Sequence, residues 1–303
     1  MTLRETLASG GFVVTAELGP PLEPDPDRVR RTARAFAGVV DAANVTDNQA
    51  ATVKLSPLAC SVWMLEEGLE PIMQVTTRDR NVMALQADLL GAWALGVRAI
   101  LALSGDPLKV GAYDGVATRV GDLDSSGLIR LVAGLNEGRL AAGETLETPT
   151  GFLVASAANP LVDTVEKLEQ KLEAGAHFFQ TNIVYDVDRF ADWFGPVVAA
   201  GIPERAPVLV GVTPPRSTRM LQHMHDRIPG IEVDEATFAR MAGLEGDEAK
   251  AAGVEIAVDV ARRLRDVAGV AGVHVMAPGW EAEAVPRVVA GAGLREADAH
   301  EHV

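Results

Sequence analysis

The sequence predicts an α/β protein with a single (βα)8 barrel domain over residues 1–303, with its active site at the C-terminal ends of the strands. Strand-like apolar runs alternate with amphipathic stretches along almost the whole chain, which is typical of α/β folds. No linker or change of composition divides the chain, and its length suits one barrel. A doubly wound open sheet is the alternative, but neither G-x-G-x-x-G nor G-x-x-x-x-G-K-[ST] occurs. The barrel is therefore the preferred fold.

Eight apolar, β-prone runs are the predicted strands, and each is followed by a stretch rich in Ala, Leu, Arg and Glu. The predicted strands are 12–18, 42–46, 71–76, 99–103, 152–155, 178–181, 208–212 and 272–276. The predicted helices are 25–37, 56–67, 81–95, 127–136, 164–174, 187–200, a long two-part stretch over 219–267, and 281–292. Two irregular segments, 105–126 and 139–151, interrupt this rhythm, and an acidic tail begins at about residue 295. The first segment leaves a strand end, where barrel loops build active sites.

Composition and charge exclude several classes of function. The chain has 42 acidic and 27 basic side chains, a formal net charge of -15, which argues against nucleic-acid and membrane-surface binding. The single cysteine, Cys60, is expected to be a structural thiol, since it has no partner for an internal disulfide. No apolar segment is long enough to span a membrane, and the N-terminus lacks the order of a signal peptide. We therefore expect a cytoplasmic protein.

A polar rim follows the predicted strands. It comprises Glu17, Thr46, Asp47, Asn48, Thr76, Arg78, Asp79, Ser104, Gly105, Asp106, Ser156, Asn159, Gln180, Asn182, Thr213, Pro214, Pro278 and Gly279. This rim is rich in amides and hydroxyls, which favours a flat heteroaromatic ligand. We expect no metal, because the six histidines are scattered, and we expect His274 to be a satisfied core or mouth residue. No nucleophile elbow appears.

Several segments in consistent order resemble the methylenetetrahydrofolate reductase family. They are VVTAELGPP, ANVTDNQAATVKLSPLA, PIMQVTTRDRNVMALQADLLGAWALGVRAILALSGDP, LDSSGLIRLVAGLNEG, KLEAGAHFFQTNIVYD and GVEIAVDVARRL. The chain is most similar to the short bacterial branch, including the reductase halves of bifunctional homocysteine methyltransferases. This resemblance implies FAD bound at the barrel mouth and a ping-pong reaction. NADH or NADPH would reduce the flavin, which would then reduce 5,10-methylenetetrahydrofolate to 5-methyltetrahydrofolate.

The resemblance also assigns two carboxylates to the reaction. Glu17, in TAELGPP, matches the family's catalytic acid, which protonates the departing nitrogen of the folate ring. An apolar strand end would raise its pKa, whereas the alternative is a solvated strand-end Glu. Asp106, in LSGDP, matches an Asp near the flavin and the folate. Its alternative is a turn-capping Asp beside Gly105.

Further positions follow from the same resemblance. Thr46 and Lys171 match a flavin-site threonine and a flavin-phosphate lysine, and Met224 matches an apolar residue on the substrate face. Asn182 stands where the family has a substrate-binding Gln, and Gln180 lies on the same strand face one layer deeper. For Lys171 the alternative is a helix surface, and for Met224 it is a place in the core.

Three expected flavin contacts differ from the family pattern. Ser104, Gln74 and Ser156 replace an Arg, a His and an aromatic residue. Arg78 and Arg80 are the candidates to replace the lost phosphate contacts, since guanidinium groups bind phosphate bidentately. Pairing with Asp79 is their alternative. FAD binding is thus the expectation with least support from the residues.

Several functions remain open from the sequence alone. The barrel either uses FAD, passes hydride directly from a nicotinamide or a deazaflavin, or binds folate without redox activity and acts with a partner subunit. A homo-oligomer is also possible. A Schiff-base aldolase ranks below these, because no predicted strand carries an interior lysine.

Overall fold

The computed structural model describes residues 1–228 and 230–295 and confirms the predicted barrel. Its eight parallel strands are hydrogen-bonded in sequence order, and β8 closes against β1. The strands are β1 Val13–Leu18, β2 Ala42–Val45, β3 Pro71–Thr76, β4 Ala99–Leu103, β5 Leu153–Ala158, β6 Phe178–Ile183, β7 Val208–Val212 and β8 Val270–Val275. Register shifts interrupt the β6–β7 and β7–β8 pairings. The predicted acidic tail from about residue 295 lies outside the described residues beyond Arg295.

Helices follow the strands as predicted, with three differences. They are α1 Leu3–Ser9, α2 Pro26–Phe36, α3 Pro57–Glu66, α4 Val82–Ala94, α5 Ser125–Asn136, α6 Val165–Glu173, α7 Val187–Ala199, α8 Ile202–Arg205, α9 Thr218–Arg227, α10 Glu235–Met241, α11 Gly246–Arg265 and α12 Glu281–Gly291. The two-part helical stretch after β7 is in fact three helices, α9 to α11. Helix α1 and the short helix α8 were not predicted. Within the described ranges, no helix is long and apolar enough to cross a bilayer.

Polar caps fix where most of the helices begin. The side chains of Asp25, Asn81, Asp124, Thr164 and Asp186 each accept a hydrogen bond from a backbone N–H of the following first turn. Such caps satisfy donors that the helix itself leaves unpaired. The loops between strands and helices are therefore held at both ends, and they rim the C-terminal end of the barrel.

Side chains alternate between two faces along each strand, as the pleat requires. On β1, Val14, Ala16 and Leu18 pack under the helices. Val13 faces inward and joins a cluster that fills the N-terminal end of the barrel, closed by the fully buried Leu3 of α1. Polar residues occupy the other, C-terminal half of the interior, and this half contains the site.

Candidate active site

A layer of uncharged polar side chains crosses the middle of the barrel. Gln180 on β6 and Asn44 on β2 exchange two amide hydrogen bonds of 2.7 and 3.1 Å. Gln180 Nε2 also donates to the Thr15 hydroxyl at 3.2 Å, and this hydroxyl lies 2.9 Å from His274 Nδ1. Burial lowers the pKa of His274 to about 3, so the ring is neutral. The layer is a satisfied floor for the mouth, and His274 is the satisfied interior residue that was predicted.

Glu17 stands directly above this floor, two residues after Thr15 on the same face of β1. Glu17 is buried, with only 6% of its surface exposed. Burial is the main cause that raises its pKa to about 7, and the charges of Glu281 and Asp106 raise it further. Hydrogen bonds from Gln49 and Gln74 oppose this shift. Near neutral pH, Glu17 is therefore a carboxyl group that can hold and release a proton.

The turn after β2 carries Gln49 to this acid. Gln49 Nε2 lies 3.4 Å from Glu17 Oε1, a long hydrogen bond. Asn48 and Ala50 on either side have left-handed backbone angles, with φ of 46° and 53°. The carboxylate of Asp106 accepts a 2.7 Å hydrogen bond from the backbone N–H of Ala50. Asp106 therefore lies at the mouth, but its direct contact is with this turn.

Arg78 and Arg80 both form ion pairs within the protein. Arg78 is 3% exposed and binds the Asp79 carboxylate through two hydrogen bonds of 2.7 Å. Its Nη atoms donate to the carbonyls of Asp106 and Asn48 at 3.0 and 3.2 Å. Arg80 binds the buried carboxylate of Asp47 at 2.8 and 3.0 Å. Together, the two arginines link the loops after β2, β3 and β4. Arg78 thus pairs with Asp79, which was the predicted alternative to phosphate binding.

Lys171 on α6 is buried away from the acid. Its Nζ donates to the Ala157 carbonyl at 2.6 Å and to Asp163 at 3.2 Å. Asp163 also binds Lys167 at 2.7 Å. The predicted alternative, a helix surface, does not describe this lysine, which instead ties α6 to the end of β5.

The remaining predicted residues divide into two groups. The first group lies at the ends of β2, β3 and β4 and comprises Thr46, Gln74, Ser104 and Gly105. Ser104 Oγ accepts a hydrogen bond from Ser125 N at 3.2 Å. Gln74 reaches Glu17. Gly105, at φ 80°, packs so closely on Thr76 and Arg78 that a Cβ would lie 3.1 Å from Arg78 Cβ.

The second group comprises Ser156, Met224 and Asn182. Ser156 pairs in register with Ala102 and Phe179, both of which face the helices, so its side chain lies outside the barrel. Met224 is 3% exposed and packs with Tyr185 and Leu221 in a separate cluster, which is the core alternative. Asn182 lies at the β6 register shift, where its Oδ1 accepts from Ile183 N at 2.8 Å.

Sequence reasoning missed four contributors to this site. Gln49 was not among the candidates, although it directly follows the rim residues Asp47 and Asn48. Glu281, in the first turn of α12, lies near enough to Glu17 for its charge to raise the pKa of that carboxyl. Thr15 and Asn44 bind Gln180 in the floor below. An alternation argument along β1 finds Thr15, but no local signal identifies Glu281.

Comparison with known proteins decides the family. The family model described as methylenetetrahydrofolate reductase matches residues 2–291. The chain belongs to the methylenetetrahydrofolate reductase family. Methylenetetrahydrofolate reductase 1 of Schizosaccharomyces pombe is 26% identical over 243 residues, which are 80% of this chain and 38% of the yeast protein. Methylenetetrahydrofolate reductase 2 of Saccharomyces cerevisiae is 26% identical over 213 residues, 69% of this chain and 34% of that protein. The chain thus matches a little over one third of these relatives' length.

Solved structures share the fold at low identity. A protein from Clostridium thermocellum that binds two copies of 5-methyl-5,6,7,8-tetrahydrofolic acid has a TM-score of 0.70, with 15% identity over 95% of this chain and 97% of that chain. The EDTA monooxygenase of Chelativorans has a TM-score of 0.55, with 11% identity over 93% and 94% of the two chains. At these identities the likeness establishes a common barrel.

FAD, which the family resemblance implies, requires groups that bind its diphosphate. The three cations predicted near it, Arg78, Arg80 and Lys171, are each bound to a protein carboxylate. Ser156 faces the helices. A diphosphate at these residues would have to displace Asp79, Asp47 or Asp163, so this predicted set does not fit the group. FAD binding stays a prediction.

Proposed function

We propose that the protein reduces 5,10-methylenetetrahydrofolate to 5-methyltetrahydrofolate, with Glu17 as the acid and a reduced nicotinamide, NADH or NADPH, as the source of hydride. Membership of the family supports the reaction. The observation that carries the assignment to this site is Glu17, a buried mouth carboxyl whose pKa is raised to about 7. A general acid works best when its pKa lies near the working pH.

The chemistry follows from what this carboxyl can do. Glu17 donates its proton to the ring nitrogen that leaves the bridging carbon, and the carbon–nitrogen bond breaks to give an iminium. Hydride then adds to this carbon, which becomes the methyl group, while the nicotinamide is oxidised. Each turnover consumes one proton and one hydride. Gln74 and Gln49 supply hydrogen bonds that stabilise the Glu17 carboxylate after the proton has left.

The mouth also suits the proposed substrate. Amide and hydroxyl side chains form its floor beneath the Glu17 carboxyl, and such groups orient a flat ring rich in donors and acceptors. The Clostridium thermocellum protein with the same fold binds 5-methyl-5,6,7,8-tetrahydrofolic acid, which is the product proposed for this chain. Product binding is therefore a direct test that needs no turnover.

The experiment compares Glu17→Gln with Glu173→Gln, an identical substitution at an exposed position of α6. We expect Glu17→Gln to lower the rate of folate reduction about a hundredfold or more, while 5-methyltetrahydrofolate still binds. Glu173→Gln should match the wild type. Full activity in Glu17→Gln would overturn the role of the acid. Folate binding without reduction by any nicotinamide, flavin or deazaflavin donor would instead support a binding protein.

A labelled donor separates direct transfer from a flavin relay. Deuterium on the reactive carbon of the nicotinamide should appear in the methyl group of the product if transfer is direct. The absorbance of the purified protein and its titration with FAD provide the second readout. Flavin bands together with loss of the label to solvent would support the FAD prediction and contradict direct transfer.

A further inference from the structure

Gln49 reaches Glu17 from an unusual piece of backbone. The residue is exposed, so packing does not fix its side chain, and its 3.4 Å bond to Glu17 depends on the position of its backbone. Both Asn48 and Ala50 have left-handed backbone angles, and so does Ala51, at φ 50°. For alanine, this conformation costs about 1 kcal/mol or more at each position. Such a turn persists only where its surroundings hold it.

Three contacts hold the turn. The Asp106 carboxylate binds Ala50 N at 2.7 Å, one residue beyond Gln49. Arg78 binds the carbonyl of Asn48, one residue before Gln49, at 3.2 Å, and the carbonyl of Asp106 at 3.0 Å. Gly111 of the β4–α5 loop lies against the Ala51 carbonyl, where a Cβ would be 2.2 Å from the oxygen. Gln49 is therefore fixed on both sides, by Arg78 from the loop after β3 and by Asp106 from the loop after β4.

We propose that Gln49 is the positioning residue of the acid Glu17, and that Asp106 acts on Glu17 through the Gln49 turn. This inference rests on the proposed function of Glu17. It gives Asp106 a role within the protein that differs from direct contact with a ligand.

The direction of the hydrogen bond defines what Gln49 does. An amide N–H only donates, so Glu17 Oε1 must accept, and the proton of neutral Glu17 resides on Oε2. Gln49 thereby selects the oxygen that delivers the proton. When the proton leaves, the same donor stabilises the carboxylate, and bonds of this kind tighten as charge develops. Losing the donor should raise the pKa of Glu17 and slow proton transfer together.

The first test replaces Gln49 with Leu, which has no donor, and with Asn, whose amide is shorter. Carbon-13 labelling of glutamate follows the titration of Glu17 without any need for activity, and Glu17→Gln identifies its signal. We expect the midpoint in Gln49→Leu to rise by about 0.5 to 1 in pH. The midpoint pH of the alkaline limb of the rate profile should rise by the same amount, and kcat should fall about tenfold. Gln222→Leu, on the exposed face of α9, should change neither.

The second test separates the charge of Asp106 from its hold on the turn. Asp106→Asn removes the charge but keeps an acceptor for Ala50 N, whereas Asp106→Ala removes both. The charge of Glu281 on α12 also raises the pKa of Glu17, but Glu281 is unchanged in both variants, so its effect cancels in the comparison. We expect the Glu17 midpoint to be higher in Asp106→Ala than in Asp106→Asn. In the Gln49→Leu background this difference should vanish.

The outcomes distinguish this inference from the proposed function. If Glu17 titrates as expected but folate is not reduced, the proposed function fails while the contact with Gln49 stands. If folate is reduced but neither Gln49→Leu nor Gln49→Asn moves the midpoint, the positioning role is wrong. Should Gln49→Leu fail to fold, Gln49→Asn decides. Equal midpoints in the two Asp106 variants would overturn the action of Asp106 through the turn.

Discussion

Glu17 and His274 illustrate how one physical cause acts on two residues of opposite charge type. Both lie inside the barrel, and burial favours the neutral form of each. Burial therefore raises the pKa of Glu17 to about 7 and lowers that of His274 to about 3. The acid keeps a proton that it can donate at neutral pH. The imidazole cannot take this proton, because it stays neutral well below that pH.

The rate of folate reduction should depend on pH through Glu17. Since the acid must be protonated, kcat/KM should be constant below about pH 7 and fall about tenfold for each further pH unit. Steady-state rates between about pH 5 and 9 provide the measurement. In Glu17→Gln the remaining activity should lose this limb. A limb that persists unchanged in the variant would assign it to another group.

Glu17 should also make the fold less stable at alkaline pH. Between pH 4.5, its ordinary pKa, and about pH 7, folded Glu17 keeps a proton that it loses in the unfolded chain. The free energy of unfolding therefore falls as pH rises through this window. We expect Glu17→Gln to gain about 3 kcal/mol relative to wild type between about pH 4.5 and pH 8.

Urea unfolding at the two pH values measures this gain. His274 acts in the opposite direction, because its contribution is lost as pH falls from 6.5 toward about 3. It is present in both proteins and cancels in the comparison. A difference between the two proteins that does not depend on pH would show that Glu17 is ionised in the folded state.

At the scale of elements, the turn after β2 is the part of the site whose conformation could not be predicted from the sequence. Strand β2 is evident from its apolar residues, and the polar residues after it predict a loop at the mouth. Asparagine tolerates a left-handed backbone, as at Asn48, but nothing in Ala50 and Ala51 predicts it, since alanine ordinarily avoids this conformation. The conformation is imposed by Asp106, Arg78 and Gly111, which are distant in sequence.

Gly111→Ala should separate the turn from the β4–α5 loop. Gly111 has φ −118°, which alanine tolerates, so only space forbids the substitution. The new Cβ would lie 2.2 Å from the Ala51 carbonyl oxygen, and the loop must move. We expect kcat/KM to fall about tenfold or more, because a displaced turn moves Gln49 from Glu17.

The fold itself should survive Gly111→Ala, since the loop lies outside the barrel. Thermal unfolding and folate reduction, measured together, test this. Val116→Ala, which shortens an exposed side chain of the same loop, is the matched control and should behave as wild type. Equal activity in Gly111→Ala and wild type would show that the loop contact does not matter to the acid.

Across the whole molecule, the fold was predictable and the pairings within the site only in part. Eight apolar runs with helical followers are local patterns, so strands β1 to β8 were placed within a few residues. Glu17 and Asp106 were placed at the mouth because strand ends converge there. The pairing of Arg78 with the adjacent Asp79 was given as an alternative, whereas the carboxylates that bind Arg80 and Lys171 depend on tertiary structure. Ser156 was expected just after β5, but the strand continues to Ala158, so Ser156 lies within it and faces the helices.

The barrel interior is apolar at its N-terminal end and polar at its C-terminal end. The register between β8 and β1, which closes the barrel, places residues of the same layer opposite each other. Strand β8 returns to β1 with Gly272 opposite Val13, at the apolar end. Thr15 and His274 pair two residues further along both strands, in the polar floor under Glu17. The register at this seam therefore sets the height of the floor relative to the acid.

Gly272→Ala tests the seam. A Cβ at this position would lie 2.1 Å from the Val13 carbonyl oxygen and 2.9 Å from Leu209 Cδ2, so β8 cannot keep its distance from β1. Overpacking at a closed seam has no free edge to relax into, and we expect the free energy of unfolding to fall by about 3 kcal/mol. Urea unfolding at neutral pH is the measurement. Gly91→Ala on α4, where a Cβ meets nothing within 4 Å, is the control and should stabilise the protein by about 1 kcal/mol. If Gly272→Ala were as stable as wild type, β8 could not pair with β1 through Gly272 and Val13, and the floor beneath Glu17 would then lie at a different height.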